Sequence, residues 1–201
     1  MRRVLLFAAI VLATSCAKSP MRTSPSSPST ASPSAQPSET PVAIESNVPG
    51  DIPDNTQFVT YISSAGHYSL QHPEGWAQTT NGNGVQFSDK AHSISVAIES
   101  ASQPRTVDTV RRVDEPKVRS SVRAFEEVKI AAANVPAGPA ILFRYRANSD
   151  PDPVTGKSLR LEVDRYEIFS SGRLAILSLS APAGSDNVDV WNQVSRSFRF
   201  S

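Results

Sequence analysis

The feature that most limits what this chain can fold into is a change of composition near residue 55. Between Ala17 and Val48, Ser and Thr fill 12 positions and Pro fills 6, together 18 of 32 residues, with no aromatic side chain. Such a segment buries too little apolar surface to offset the entropy of ordering it, and Pro draws it toward extended polyproline geometry. Residues 16–55 are therefore expected to form a disordered tether, which leaves residues 56–201 to fold. At ~3.1 Å per residue an extended tether of this length reaches ~120 Å, against ~35 Å for a flexible coil. Its clustered Ser, Thr and Pro also match the composition of O-glycosylated stalks.

Ahead of the tether, Arg2 and Arg3 precede ten apolar residues, Val4 to Ala13, and then the small Thr14 and Ser15. These are the charged, apolar and cleavage regions of a secretory signal, so residues 1–15 are expected to be removed. Ten residues at ~1.5 Å rise span about 15 Å, roughly half a bilayer core, which is too short for a crossing. Cys16 follows, the single cysteine in 201 residues. The run Leu12-Ala13-Thr14-Ser15-Cys16 resembles the lipobox of bacterial lipoprotein signals, with Ala13 where that family usually has Leu. The resemblance implies cleavage before Cys16 and acylation of it, palmitate included. The alternative is an ordinary signal cut nearby that leaves an incidental thiol. A lone thiol in an oxidising compartment is a liability unless it is used, and two or three acyl chains anchor stably where one does not. The expected place is the extracytoplasmic face of the cell membrane, with membrane lipid as a partner through Cys16.

The remaining residues, 146 of them, are one domain's worth and enough for a proper core. Loss of Arg2 and Arg3 with the signal leaves acidic residues one ahead of basic ones, and the chain has no polybasic block. Nucleic acid is thereby excluded as a partner. With no cysteine pair, the fold must stand on its hydrophobic core.

Strands are predicted at 58–62 and 67–71, the second closed by the turn signal His72-Pro73-Glu74-Gly75. Asn81-Gly82-Asn83-Gly84 marks a hairpin. From Ser93 to Ser100, Ile94, Val96 and Ile98 alternate on one face, as in a half-buried strand. Thr106 to Arg123 reads as a helix. Its Val107, Val110, Val113, Val118 and Val122 face inward and Asp108 and Asp114 outward, and Pro116 breaks or restarts it. Strands follow at 125–133, 140–147, 159–169 and 174–180. Ser185-Asp186-Asn187 is a cap for a last helix through about Ser197, with Val190, Trp191, Val194 and Phe198 as its apolar stripe. This order predicts an α+β fold, a mainly antiparallel sheet with two to three helices packed on it.

Two stretches resemble the PsbP-like family, that of the extrinsic photosystem II subunit. One is Gly66-His67-Tyr68-Ser69-Leu70-Gln71-His72-Pro73-Glu74-Gly75-Trp76, where a short aromatic strand enters a Pro-x-Gly-Trp turn. The other is Trp191-Asn192-Gln193-Val194-Ser195-Arg196-Ser197-Phe198, similar to the family's last helix with its Ser-Phe end. The resemblance covers about residues 56–201. It implies an α/β/α sandwich around a bent antiparallel sheet and a non-enzymatic role in binding other proteins. Photosystem partnership does not carry over, because the lipobox points elsewhere. Read physically, Trp76 and Trp191 are core residues.

The three histidines, His67, His72 and His92, lack metal-ligand spacing, so they read as surface or edge residues. No nucleophile elbow, acylation motif or phosphate loop is present, and no cofactor or metal is implied. The carboxylates Glu126, Glu127, Glu162, Asp164 and Glu167 read as polar strand faces. The loop Asp150-Pro151-Asp152-Pro153-Val154-Thr155-Gly156-Lys157 is too poor in carboxylates for calcium. As an exposed, rigid turn it is the preferred partner-contact surface, through Asp150, Asp152, Thr155 and Lys157.

The expectation is thus a lipid-anchored, non-enzymatic binding or accessory module of the cell envelope. Its partner would be an envelope protein or cell-wall component. The alternative is a carrier of a lipid or other apolar small molecule held between sheet and helices. An apolar cavity of ~300 Å³ or more would favour the carrier, and a filled core the binding module.

Overall fold

The structure, a computed structural model, describes residues 39–46, 51–53 and 55–201. Cys16 and the signal segment lie outside these residues. The described chain forms a seven-stranded sheet and a three-stranded one. The larger has the order β3-β4-β5-β9-β8-β7-β6, and the smaller β1-β2-β10. Their ranges are β1 Phe58–Ser63, β2 Tyr68–Pro73, β3 Ala77–Asn81, β4 Gly84–Asp89 and β5 His92–Ser100, then β6 Arg123–Val135, β7 Gly138–Asn148, β8 Arg160–Ser170, β9 Arg173–Pro182 and β10 Arg199–Phe200. Neighbouring strands are antiparallel throughout both sheets. The helical pieces are α1 Val107–Thr109, a π-helical turn Val110–Asp114, α2 Glu115–Ser121 and α3 Val188–Ser197. The α+β architecture expected from the sequence is present.

Period-two alternation sets the two faces of the large sheet. On one face Phe87, Ile94, Leu179 and Asp164 form a row across β4, β5, β9 and β8, and Val85, Val96, Leu177 and Tyr166 form the next. α3 and the small sheet cover these rows. Tyr68, Leu70, Val194 and Phe198 are buried against them, with Trp76 and Trp191 partly buried at the margin. On the other face, Ile130, Phe143, Tyr145 and Val163 pack under Val110 and Val118 of the first helical run. Farther along that face, Ser93 pairs with Ser180 and Ser95 with Ser178, which gives a hydroxyl-lined surface.

The hairpin signal at residues 81–84 forms as expected. Gly82 has φ 59°, a conformation that costs glycine little and other residues more. Gly66 is needed for space: a Cβ there would come within 2.5 Å of the Asn83 carbonyl oxygen.

The first helix differs from expectation in an instructive way. The Thr106 hydroxyl caps it by accepting from the Thr109 N–H at 3.1 Å. Before Pro116 the ladder widens, and Glu115 N–H reaches the Val110 carbonyl, an i→i−5 bond. The widened turn turns the following residues relative to an ideal helix. Val113, expected inside, is 41% exposed, and Asp114, expected outside, is 4% exposed. The helix then restarts at Glu115 with Pro116 in its first turn, where a missing N–H costs nothing. Asp114 is met at 3.1 Å by Arg105, which also approaches Glu167 at 3.4 Å.

Glu167, expected on an ordinary polar face, is fully buried, and Arg165 bonds it at 2.9 Å. Burial pushes its carboxyl above the usual range despite the two arginines. The short β10 has no sequence signal of its own. It exists because Arg199 and Phe200 pair with Ser69 and Tyr68, while Arg173 lies over the Phe200 ring at 4.9 Å.

Phe198 joins α3 to β10, fully buried between the Tyr68 ring at 5.7 Å and the Phe200 ring at 5.2 Å. Phe198→Ala is expected to lower unfolding free energy by about 3–5 kcal/mol in urea titrations.

Candidate binding site

The apolar row Phe87–Ile94–Leu179 ends at Asp164, and the next strand places Arg144 opposite it. Arg144 Nε and Nη2 donate to Asp164 Oδ1 and Oδ2 at 2.5 and 2.7 Å, a bidentate fork. These bonds hold the Arg144 guanidinium above its ordinary pKa. Asp164 is buried, where the sequence predicts a plain polar strand face. Beside the fork the chain leaves β9 at Pro182, turns, and enters α3. A cavity of about 140 Å³ lies in this angle, lined by Arg144, Asp164, Tyr166, Ser185, Asn187 and Trp191 among others. Burial raises the Tyr166 hydroxyl above its usual pKa.

Asn187 stands at the N-cap position of α3, yet its side chain makes no capping bond. Only its carbonyl serves the helix, accepting from Trp191 N–H at 2.9 Å. The Oδ1 instead accepts from the N–H of Ile52, at 3.3 Å. The Asp51 carboxylate accepts from Asp186 N–H at 3.2 Å, and Ile52 is buried. Among the described residues, Asn187 Nδ2 and the neighbouring Ser185 hydroxyl, both buried, have no hydrogen-bond partner. The expected helix cap is thus spent on another segment of chain.

A second buried asparagine does the same at the end of β7. Asn148 Oδ1 accepts from Val42 N–H at 3.1 Å, and its Nδ2 donates to Glu39 Oε1 and the Thr40 carbonyl at 3.0 Å each. Arg123 grips the Glu39 carboxylate at 2.7 and 2.8 Å. Bonds from Asn148 and Arg123 hold that carboxyl below the usual range. Arg160, buried beneath, donates to Asn148 Oδ1, the Ala124 carbonyl and Glu126. Residues 39–42 and 51–52, which their composition assigns to the tether, are therefore hydrogen-bonded to the domain.

The loop singled out from the sequence is ordered and exposed. Asp152 turns inward on its own loop, where Oδ1 accepts from the N–H groups of Val154 and Thr155 and from the Thr155 hydroxyl. Those bonds, Thr155's foremost, hold its carboxyl below the usual range. Lys157 N–H reaches the Thr155 hydroxyl at 3.3 Å. Asp150 borders an open groove along the serine-lined face, together with Ser93, Ser95, Ser178 and Ser180. Among the described residues, no group of three or more His, Cys, Asp or Glu side chains is placed to hold a metal.

Two of the histidines are not surface residues. His72 stacks on Phe87 with ring centroids 3.7 Å apart, and His92 is buried near Trp76. Burial lowers both imidazoles from the ordinary 6.5. The Pro73 carbonyl, which accepts from His72 Nδ1 at 2.9 Å, acts the other way.

Comparison with known proteins yields no matching family model and no matching curated protein. Solved structures do match. Cyanobacterial PsbP (CyanoP) from Synechocystis superposes with a TM-score of 0.51 at 16% identity, covering 76% of this chain and 96% of that one. The Ran-binding protein Mog1p of Saccharomyces cerevisiae gives 0.50 at 10% identity, covering 73% and 96%. A protein of Bacteroides thetaiotaomicron gives 0.49 at 12% identity and covers 71% of this chain, which spans only 48% of that protein. The fold is PsbP-like.

The histidine burial has a pH consequence. The folded state keeps these rings neutral, so the unfolded chain takes up protons first as pH falls below about 6.5. Stability that is full above that value should decline below it, until the folded imidazoles also protonate. The urea midpoint should fall between about pH 7 and about pH 5, and less so in His72→Gln. Asn148→Ala should cost about 1–3 kcal/mol and bring the Val42 amide to the exchange rate of an unprotected group. Hydrogen exchange followed by NMR checks this, with β9 amides as the protected reference.

Proposed function

We propose that the chain is an extracytoplasmic lipoprotein, acylated on Cys16, whose PsbP-like domain is a non-enzymatic binding or accessory module of the cell envelope. The observation that carries the reading is the fold itself, shared with a protein named for binding Ran and with a PsbP protein. At these identities the likeness supports a scaffold for recognition and names no partner. The partner proposed here is an envelope protein or cell-wall component. The 150–157 loop and the cavity at the start of α3 are the surfaces offered to it.

The chemistry of the domain fits this role. Asp164, Glu162 and Glu167 each meet an arginine, so these carboxylates serve ion pairs. The carrier alternative asks for an apolar cavity of ~300 Å³ or more. The cavity at α3 is about 140 Å³ and lined by charged and amide groups. The larger clefts, of about 390 to 550 Å³, are more open and lined largely by serine, glutamine and arginine, which favours the binding module.

Fractionation of cells tests the anchor. The native chain is expected in the membrane fraction with a mass increased by acyl groups, and Cys16→Ala in the soluble fraction. Cross-linking of the anchored protein should then recover a reproducible envelope partner. Bound lipid in native mass spectra together with no such partner would replace this reading by the carrier.

A further inference from the structure

We propose that the cavity between β7, β8 and the start of α3 is a binding site for one neutral sugar ring, the exposed end residue of a glycan. The envelope as the source of that glycan rests on the reading above, whereas the binding itself rests on the cavity alone.

The first argument is an unpaid polar cost. Asn187 is 3% exposed. Its Oδ1 is committed to the Ile52 N–H, which can only donate, so the orientation of the amide is set and Nδ2 is the free end of a side chain whose residue lines the cavity. That donor and the Ser185 hydroxyl are buried and unpartnered among the described residues. Buried polar groups are almost always paired, and an asparagine at an N-cap position would ordinarily gain by capping. Here both stabilising options are forgone beside a cavity.

The second argument is the chemistry of the lining. Asp164 accepts one bond from Arg144 on each oxygen, and a carboxylate oxygen has a second lone pair to offer. Asn187 supplies a donor, Asp164 supplies acceptors, and Ser185 supplies both. Neighbouring hydroxyls of a sugar donate and accept together, so they match this set. Trp191 and Pro182 provide apolar surface for ring C–H groups.

Other ligand classes fit worse. Glu162 and Asp164 stand against the single guanidinium of Arg144 in the lining, so anions are repelled. The Arg144 guanidinium bonded to Asp164 puts a positive charge beside its oxygens, so a metal ion is disfavoured. An apolar ligand would leave Asn187 and Ser185 unpaired. The volume of about 140 Å³ approximates the ~150 Å³ cavity that takes one benzene molecule, and because this cavity is partly open the bulkier pyranose projects from it.

The chain has two tryptophans, Trp76 and Trp191, so Trp76→Phe in the full-length protein leaves Trp191 as the only indole reporter. The probes are methyl α-glucopyranoside, methyl α-mannopyranoside and the methyl glycoside of N-acetylglucosamine, with inorganic phosphate for comparison. At least one pyranoside should shift Trp191 emission saturably, with Kd on the order of 1 mM, and phosphate should not. Asn187→Asp keeps the oxygen that holds Ile52 and removes the donor, and it should weaken binding at least tenfold. Ser185→Ala, which disturbs no hydrogen bond to the incoming chain, should weaken it severalfold. No saturable shift up to roughly 100 mM sugar would overturn the proposal, since a ligand that weak has little use for the site. Equal affinity in both variants would overturn it too, as would preference for phosphate. Because the titration uses purified protein, it can fail while the membrane fractionation of Cys16→Ala succeeds, and the reverse.

Discussion

Strand β9 is buried on both faces, and the layers of the molecule answer that demand. Leu174, Ala175, Ile176, Leu177 and Leu179 are all shielded from water, although alternate residues of a strand point to opposite sides of its sheet. Burial on both sides needs cover on both sides. α3 and the small sheet supply it on one, through Phe198, Val194, Tyr68 and Leu70. On the other, the first helical run covers Phe143, Tyr145 and Val163 of β7 and β8. Where that helical cover stops, β9 changes to Ser178 and Ser180 and β5 presents Ser93 and Ser95.

Charge enters this core in pairs. Asp164, Glu167 and Arg160 are all nearly inaccessible, and each is met by an opposite charge. An isolated buried charge would cost several kcal/mol, so such groups persist only with a partner. The pairs specify more than they stabilise. Arg144 pairs with Asp164 at the end of an apolar row, and this fork forms one wall of the α3 cavity. Asn148 and Asn187 act similarly with neutral amides, since each binds a stretch of the entering chain that composition alone would leave free. Asn148 ends β7 and Asn187 precedes α3, so the entry of the chain is held at two separate points.

Much of the fold was legible because its signals are local. Alternation of Ile94, Val96 and Ile98, the Asn-Gly turn at residue 81 and the stripe of α3 each lie within a few residues, and all reappear in space. The phase of the first helix was not legible. Pro116 announced a disturbance, but its resolution as a wide turn, with Val113 out and Asp114 in, depends on Arg105 and Glu167 being there to receive Asp114. The candidate cavity was less legible still. Asn187 was noticed only as a cap and Asp164 only as a polar strand residue. No signal marked Ser185 as unpaired or Arg160 as buried. The loop at residues 150–157 is exposed, as its composition predicts, and Asp152 closes it with bonds two and three residues away.

The sequence by itself determined the element order, the antiparallel pattern, the faces of most strands and the contrast between a Ser/Thr/Pro-rich segment and an apolar domain. Those follow from side-chain period and turn chemistry, which act over two to four residues. Only the tertiary structure decided that an expected helix cap would hold Ile52, that Arg144 would clasp Asp164, and that residues 39–42 would lie on the domain. The bonds from Val42 and Ile52 join residues 106 and 135 positions apart. No local pattern encodes a contact at that range, because it exists only after the sheet has brought its strands together.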